Sequence, residues 1–207
     1  MGEESGAARV ELADGRAVRI ARLTPGDAAE LGEAITEADR ETLYRRFCGP
    51  PPTVTPRLLA YLTELDFDRR YALVARDDSG RGVAIARYEA TREPGVAEIA
   101  VVVRPGWRRV GLATVLVTEL AKAALRHGFD RFTATYLADN RPVSELLDLA
   151  GARRHIAAGV ADAVLHLEPE SEEREDAHGD SPGTGGTRTE HRQEDTAEPD
   201  PAAVRLG

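Results

Sequence analysis

From Ile99 to Leu116 the chain reads IAVVVRPGWRRVGLATVL: an apolar, β-branched run, then one Pro, two Gly and three Arg, then apolar residues at helical spacing. This strand-to-helix joint constrains the fold more than any other stretch. Beyond it, apolar residues recur at 112, 115, 116, 120, 123 and 124, one stripe of a 3.6-residue period. His127-Gly128 then supplies a C-terminal stop. A helix N-terminus carries unpaired N–H groups and a partial positive charge, so a cationic, glycine-bearing turn there is suited to holding an anion. Gly111 lets a bulky phosphate approach the backbone, Ala113 keeps the next position small, and Arg108 and Arg109 are placed to add charge-assisted contacts. Taken by itself the turn fits an ordinary strand-to-helix connection as well as an anion site.

The rest of the chain supplies the partners of this joint. Ala17–Leu23 alternates as a half-buried strand. Thr24-Pro25 predicts a capped helix start running through Leu31, Ile35 and Ala38, and Leu43, Tyr44 and Phe47 mark a second helical segment. CGPPPTVTP is a loop and RLLAYLTEL is helical. YALVA and VAIARYEA predict a hairpin, followed after Glu93-Pro94-Gly95 by AEIAVVV. RFTATYL is a strand, DNRPVSELLDLAG a short helix, and a final strand is expected near 163–167. The resulting order, β-α-α-β-β-β-α-β-α-β, predicts an α/β (α+β) domain with a mixed, mostly antiparallel sheet flanked by helices.

Composition sets the limits. From Pro169 onward the chain has 11 acidic and 4 basic residues, no aromatic residue and almost nothing large and apolar. It carries −7 of the formal −9 and predicts a disordered acidic tail. Expected boundaries are a flexible N-terminus over 1–16, one domain over 17–168 and the tail over 169–207. The near-neutral domain argues against nucleic-acid binding through phosphate neutralisation. No apolar run approaches membrane-spanning length and no leader-like segment opens the chain, so a cytoplasmic protein away from membranes is expected. The single Cys48 precludes an intrachain disulfide, and His127, His155 and His166 show no metal-ligand spacing, so no metal is expected.

The segment Arg108-Arg109-Val110-Gly111-Leu112-Ala113 resembles the (Gln/Arg)-x-x-Gly-x-(Gly/Ala) signature of the GNAT N-acetyltransferases, and lies between a strand and a long helix as in that family. The element order over about 17–168 resembles the GNAT fold as well. The resemblance implies acetyl-CoA as co-substrate. It implies a pyrophosphate held by the turn from Arg108, Arg109, Val110, Gly111, Leu112 and Ala113 to Thr114. It implies a pantetheine arm alongside Val101, Val102 and Val103, and a coenzyme contact from Asn140. More narrowly, Leu43–Ala75 resembles the corresponding region of bacterial Pat-type protein lysine acetyltransferases, which act on acyl-CoA synthetases.

An amine must be neutral to attack a thioester, and lysine is mostly protonated at neutral pH, so a general base is needed. Glu98 opens the strand leading into the turn, among apolar Val96, Ala97 and Ile99. Burial there would raise its pKa, and the resemblance carries the Pat-type catalytic Glu onto it; an outward-facing carboxylate is the alternative. Where many GNAT enzymes have a Tyr serving as acid, this chain has Leu147. Tyr136 is a weaker substitute, and the face taken by Glu89 is not settled by alternation. The expected activity is direct acetyl transfer to a primary amine, foremost a protein lysine. A small-amine acetyltransferase and a catalytically silent acyl-CoA sensor are the alternatives. A protein acceptor predicts an open groove, and a small amine a closed acidic pocket.

Overall fold

The computed structural model describes residues 8–168; the expected acidic tail lies outside the described residues. Eight strands form one sheet in the order β1-β2-β3-β4-β5-β6-β8-β7. They are β1 (Ala8–Glu11), β2 (Ala17–Arg22), β3 (Arg70–Arg76), β4 (Gly82–Ala90), β5 (Val96–Val103), β6 (Arg131–Leu137), β7 (Arg153–Ala157) and β8 (Val160–His166). Every neighbouring pair is antiparallel except β5 and β6. The helices are α1 (Ala28–Glu37), α2 (Arg40–Phe47), α3 (Pro56–Thr63), α4 (Leu112–Arg126) and α5 (Arg141–Leu149).

The 3.6-residue stripe of α4 explains one layer. Leu112, Leu116, Leu120, Ala123 and Ala124 are buried with Tyr88, Ala97, Ile99, Phe132 and Ala134 from the sheet, and α5 adds Leu147. Each fully buried Leu or Phe contributes about 1.5–3 kcal/mol relative to exposure. Strand alternation sends Ala72, Val74 and Ile85 to the opposite face, where Leu31 of α1 and Leu65 beyond α3 pack with them. Short polar side chains start the covering helices. Asp39 accepts the Thr42 N–H at 2.7 Å ahead of α2, and Thr55 accepts the Leu58 N–H at 3.1 Å ahead of α3.

Three expectations need correcting. The segment 1–16, expected to be flexible, contains β1, paired from Ala8↔Ile20 to Glu11↔Ala17, and Leu12 is buried in the core. Four residues are too few to show a period, and this strand is defined by its partner. The strand β7 was also missed. All five of its residues are exposed, so it carries no alternation, and its ladder with β8 holds it. At Thr24-Pro25 the chain makes a 3₁₀ turn, and α1 begins only at Ala28. There the Asp27 carboxylate accepts the Thr24 N–H at 2.7 Å and the Thr24 hydroxyl at 2.9 Å.

Candidate active site

The parallel pairing of β5 and β6 ends early. It covers Val96↔Arg131, Ala97↔Phe132 and Glu98↔Thr133, after which the strands part. The Arg104 N–H bonds the Val83 carbonyl on the β4 side, while Gly95 accepts from Asp130 and Arg131 on the β6 side. Odd-numbered residues of β5 therefore turn their peptide groups toward β6, and those of Ile99, Val101 and Val103 face the gap. An unpaired strand edge inside a sheet is a template for an extended polar chain. The expected pantetheine positions Val101 and Val103 present backbone to this gap, whereas Val102 faces β4.

The turn after β5 is built from strained backbone. Arg109 takes φ 62° and Gly111 φ 84°, both left-handed, and Gly111 is the N-cap of α4. A Cβ added at Gly111 meets nothing within 4 Å, so the backbone borders open space. The N–H groups of Leu112, Ala113 and Thr114 fall in the first turn, where no intrahelical acceptor exists. Arg109 is exposed. Arg108 is already engaged: its Nε donates to the Val103 carbonyl at 3.1 Å and its Nη2 to Thr42 Oγ1 at 3.0 Å, tying β5 to α2. The β1–β2 turn braces the same segment. Arg16 stacks its guanidinium over Trp107 at 4.0 Å and donates to the Gly106 carbonyl at 3.0 Å.

Glu98 is partly buried on β5, at the last register pair before the strands part. Its direct partner on β4 is Glu89, so both carboxylates leave the sheet on the face covered by α1–α3. Around them are residues that sequence reasoning missed. The Tyr61 hydroxyl lies 2.7 Å from both oxygens of Glu89, and burial, then this hydrogen bond, push the phenol up to about 12. Arg87 is buried on β4 two residues before Glu89, and Arg70 donates to the Tyr61 carbonyl. Arg46 of α2 is lowered to about 10 by burial and then by the Arg87 charge, while the Glu98 charge acts in the opposite direction. Burial likewise raises the Cys48 thiol, whose Sγ lies 3.8 Å from the Thr135 carbonyl. The signal for Tyr61 was its place in the amphipathic RLLAYLTEL. Arg87 gave none, because its face depends on register with a distant strand.

Beside this cluster, between α1–α2 and the β3–β5 face, lies a cavity of about 140 Å³. Leu31, Ile35, Leu43, Phe47, Ile85 and Val102 make its apolar wall, with Arg46 and Arg87 among the polar lining. Asp27 and Glu30 also line it, and both are ion-paired to Arg76 at 2.5 Å.

Asn140 is the N-cap of α5, and its side chain makes no capping hydrogen bond. Leu147 is buried in the core, and Tyr136 is a core residue whose hydroxyl receives Ser144 Oγ at 3.4 Å. Asp66 accepts the N–H groups of Asp68 and Arg70 and so organises a turn. Among the described residues no cluster of three His, Cys, Asp or Glu is placed to hold a metal, and no helix is long and apolar enough to cross a membrane.

Two parallel strands that part beside a carboxylate, with an open glycine turn at the head of the next helix, form the frame of an acyl-CoA N-acyltransferase. Residues 34–151 match the acetyltransferase (GNAT) family, and the chain belongs to that family. An acetyltransferase of Pseudomonas aeruginosa is 33% identical over 138 residues, 65% of this chain and 74% of that protein. The acetyltransferase Pat of Mycolicibacterium smegmatis is 30% identical over 145 residues, 69% of this chain; the chain spans 43% of that relative's length. Among solved structures, the GNAT domain of S. lividans PAT superposes with a TM-score of 0.73 at 27% identity, covering 81% of this chain and all of that one. A putative acetyltransferase from Salmonella typhimurium, solved with its cofactor acetyl-CoA, shares the fold with a TM-score of 0.57 at 17% identity, over 76% and 98% of the two chains. The chain is thus an acetyl-CoA-dependent N-acetyltransferase.

Proposed function

We propose that the protein moves the acetyl group of acetyl-CoA to the ε-amine of a protein lysine, with Glu98 as general base. The observation that carries this reading is the position of Glu98, at the last β5–β6 pair before the strands part. An amine arriving from the α2–α3 side meets this carboxylate just before it reaches a thioester lying in the gap. Glu98 takes the amine proton, and the outward peptide N–H groups of Ile99 and Val101 polarise the carbonyl. The first-turn N–H groups of Leu112–Thr114, with Arg109, hold the pyrophosphate, and Asn140 borders the coenzyme from α5. The open space at Gly111 fits a phosphate there.

Two observations favour a protein acceptor. The cavity beside the site is partly open and its wall is mostly apolar, whereas a small cationic amine requires an acidic pocket. The likeness to Pat and to the GNAT domain of S. lividans PAT points the same way. The test follows CoA release with a thiol reagent, for wild type and Glu98→Gln, against lysine peptides, acyl-CoA synthetases and small amines, with coenzyme binding checked by calorimetry. Turnover on a protein lysine that collapses in the variant supports the reading. Turnover on small amines alone moves the acceptor to that class, and binding without turnover on any acceptor indicates a sensor.

A further inference from the structure

Arg87 carries a buried charge that Glu89 balances only through a long contact, with part of its guanidinium left without hydrogen bonds. Its residue is 4% exposed, and its Nε and Nη2 have no hydrogen-bond partner. The neighbouring acid is Glu89, whose Oε2 lies 3.5 Å from Nη2, beyond good hydrogen-bond distance, and whose carboxylate also accepts the single Tyr61 hydroxyl proton. The Tyr61 ring centroid is 5.7 Å from the guanidinium carbon. A buried guanidinium is retained where a matching anion meets it, and its planar fork fits a carboxylate in bidentate fashion.

Its location says where that anion comes from. Arg87 lines the cavity beneath α1 and α2 and is the register partner of Ala100, two residues past Glu98 and on the same face. Adjacent antiparallel Cα atoms lie about 4.5–5.5 Å apart. A carboxylate three single bonds from a thioester carbonyl extends about 4 Å beyond it, toward the face of the sheet that Arg87 and the cavity share.

We propose that Arg87 receives a carboxylate carried at the far end of the acyl group, so that besides acetyl the site takes short dicarboxylic half-thioesters of coenzyme A, succinyl foremost. This rests on the reading that the coenzyme lies along β5 with its thioester beside Glu98. The transfer balances as it does for acetyl. The amine nitrogen bonds to the thioester carbonyl carbon, the carbon–sulfur bond breaks, and the amine proton passes through Glu98 to leave amide and free thiol. The distal carboxylate is unchanged and stays on Arg87 throughout.

The test is calorimetric, on the full chain, with two non-hydrolysable thioethers of equal chain length: S-(3-carboxypropyl)-CoA and S-butyl-CoA. Wild type is expected to bind the carboxylated thioether at least tenfold more tightly. Arg87→Met, and separately Arg87→Lys in case the first variant folds poorly, are expected to reduce that ratio. Loss of the fork alone is expected to leave Lys with an intermediate ratio. Equal affinities in wild type, or a preference that survives in Arg87→Met, overturn the proposal while leaving the coenzyme reading intact. If neither thioether binds, the coenzyme reading fails first and this one with it. A third arm adds free α-amino acids to the S-butyl-CoA complex; saturable, Arg87-dependent binding there assigns the carboxylate to the acceptor and also overturns the proposal.

Discussion

Glu89 and Glu98 are register partners across β4 and β5, so two carboxylates stand side by side on the sheet face covered by α1–α3. Like charges directly opposite in a ladder are destabilising, and the surrounding groups offset this. Tyr61 holds Glu89 through its hydroxyl, Arg87 lies 3.5 Å away, and Arg46 feels the charge of Glu98. Glu89 is thereby committed to structure, while Glu98 stands at the last β5–β6 pair before the strands part.

Replacing Tyr61 by Phe removes the donor to both Glu89 oxygens. Hydrogen bonds to charged groups contribute about 1.5–3 kcal/mol, so the urea midpoint at neutral pH should fall. The pH dependence has a definite sign. The folded phenol is raised from 10 to about 12, so its contribution is complete below pH 10 and is lost as pH climbs through 12. The gap between wild type and Tyr61→Phe should therefore narrow steadily between pH 10 and 12; a constant gap would refute the coupling.

Glu98→Gln keeps the shape of the side chain and removes the base. Transfer to the acceptor should fall about 10²–10⁴-fold, with coenzyme affinity within a factor of a few of wild type. Because an amide cannot take the amine proton, raising the pH should recover part of the rate by supplying more neutral amine. A variant as active as wild type at neutral pH would exclude Glu98 as the base.

How much of this was legible beforehand depended on local periodicity. The strand Arg131–Leu137 and the helix from Leu112 lie where the sequence puts them, because each buries one face on a regular repeat. The strands β1 and β7 escaped because the first has four residues and the second buries none of its side chains. The turn at Gly111 was visible from residue types, since a left-handed N-cap in front of a helix calls for glycine. The Tyr61–Glu89–Arg87 cluster was not visible, because it is assembled by α3 packing on a register set between separate strands. At Arg108 residue type suggested an anion ligand, and the structure adds what the sequence could not show, two hydrogen bonds that tie it to Val103 and Thr42.

Gly111 allows backbone strain and ligand approach to be separated. Both Gly111 (φ +84°) and Gly128 (φ +81°) are left-handed, and an added Cβ at either meets nothing within 4 Å. Alanine should therefore cost each site a similar amount of stability, about 1–2 kcal/mol. Only Gly111→Ala places a methyl against the proposed phosphates, so it alone should weaken coenzyme binding, by tenfold or more. Equal affinities for the two variants in calorimetry would mean that no phosphate approaches Gly111.

The N-terminal hairpin gives the last test. Leu12 is 6% exposed and belongs to the main core, while the next residue, Ala13, donates its N–H to the Val110 carbonyl in the turn ahead of α4 at 3.4 Å. A buried Leu→Ala change costs about 2–5 kcal/mol when the site cannot collapse; a site at the end of a hairpin relaxes more easily, so the lower end applies. Leu12→Ala should lower the unfolding free energy by about 2 kcal/mol. It should also loosen coenzyme binding, since the hairpin braces the turn through Ala13, Arg16 and Trp107. Arg9→Ala serves as the control in the same hairpin, because its ion pair with Asp78 is exposed on both sides and such pairs contribute about 0–1 kcal/mol. If both substitutions are silent in thermal unfolding, the first strand is not part of the folded domain; if stability falls while affinity holds, the hairpin supports the core without shaping the turn.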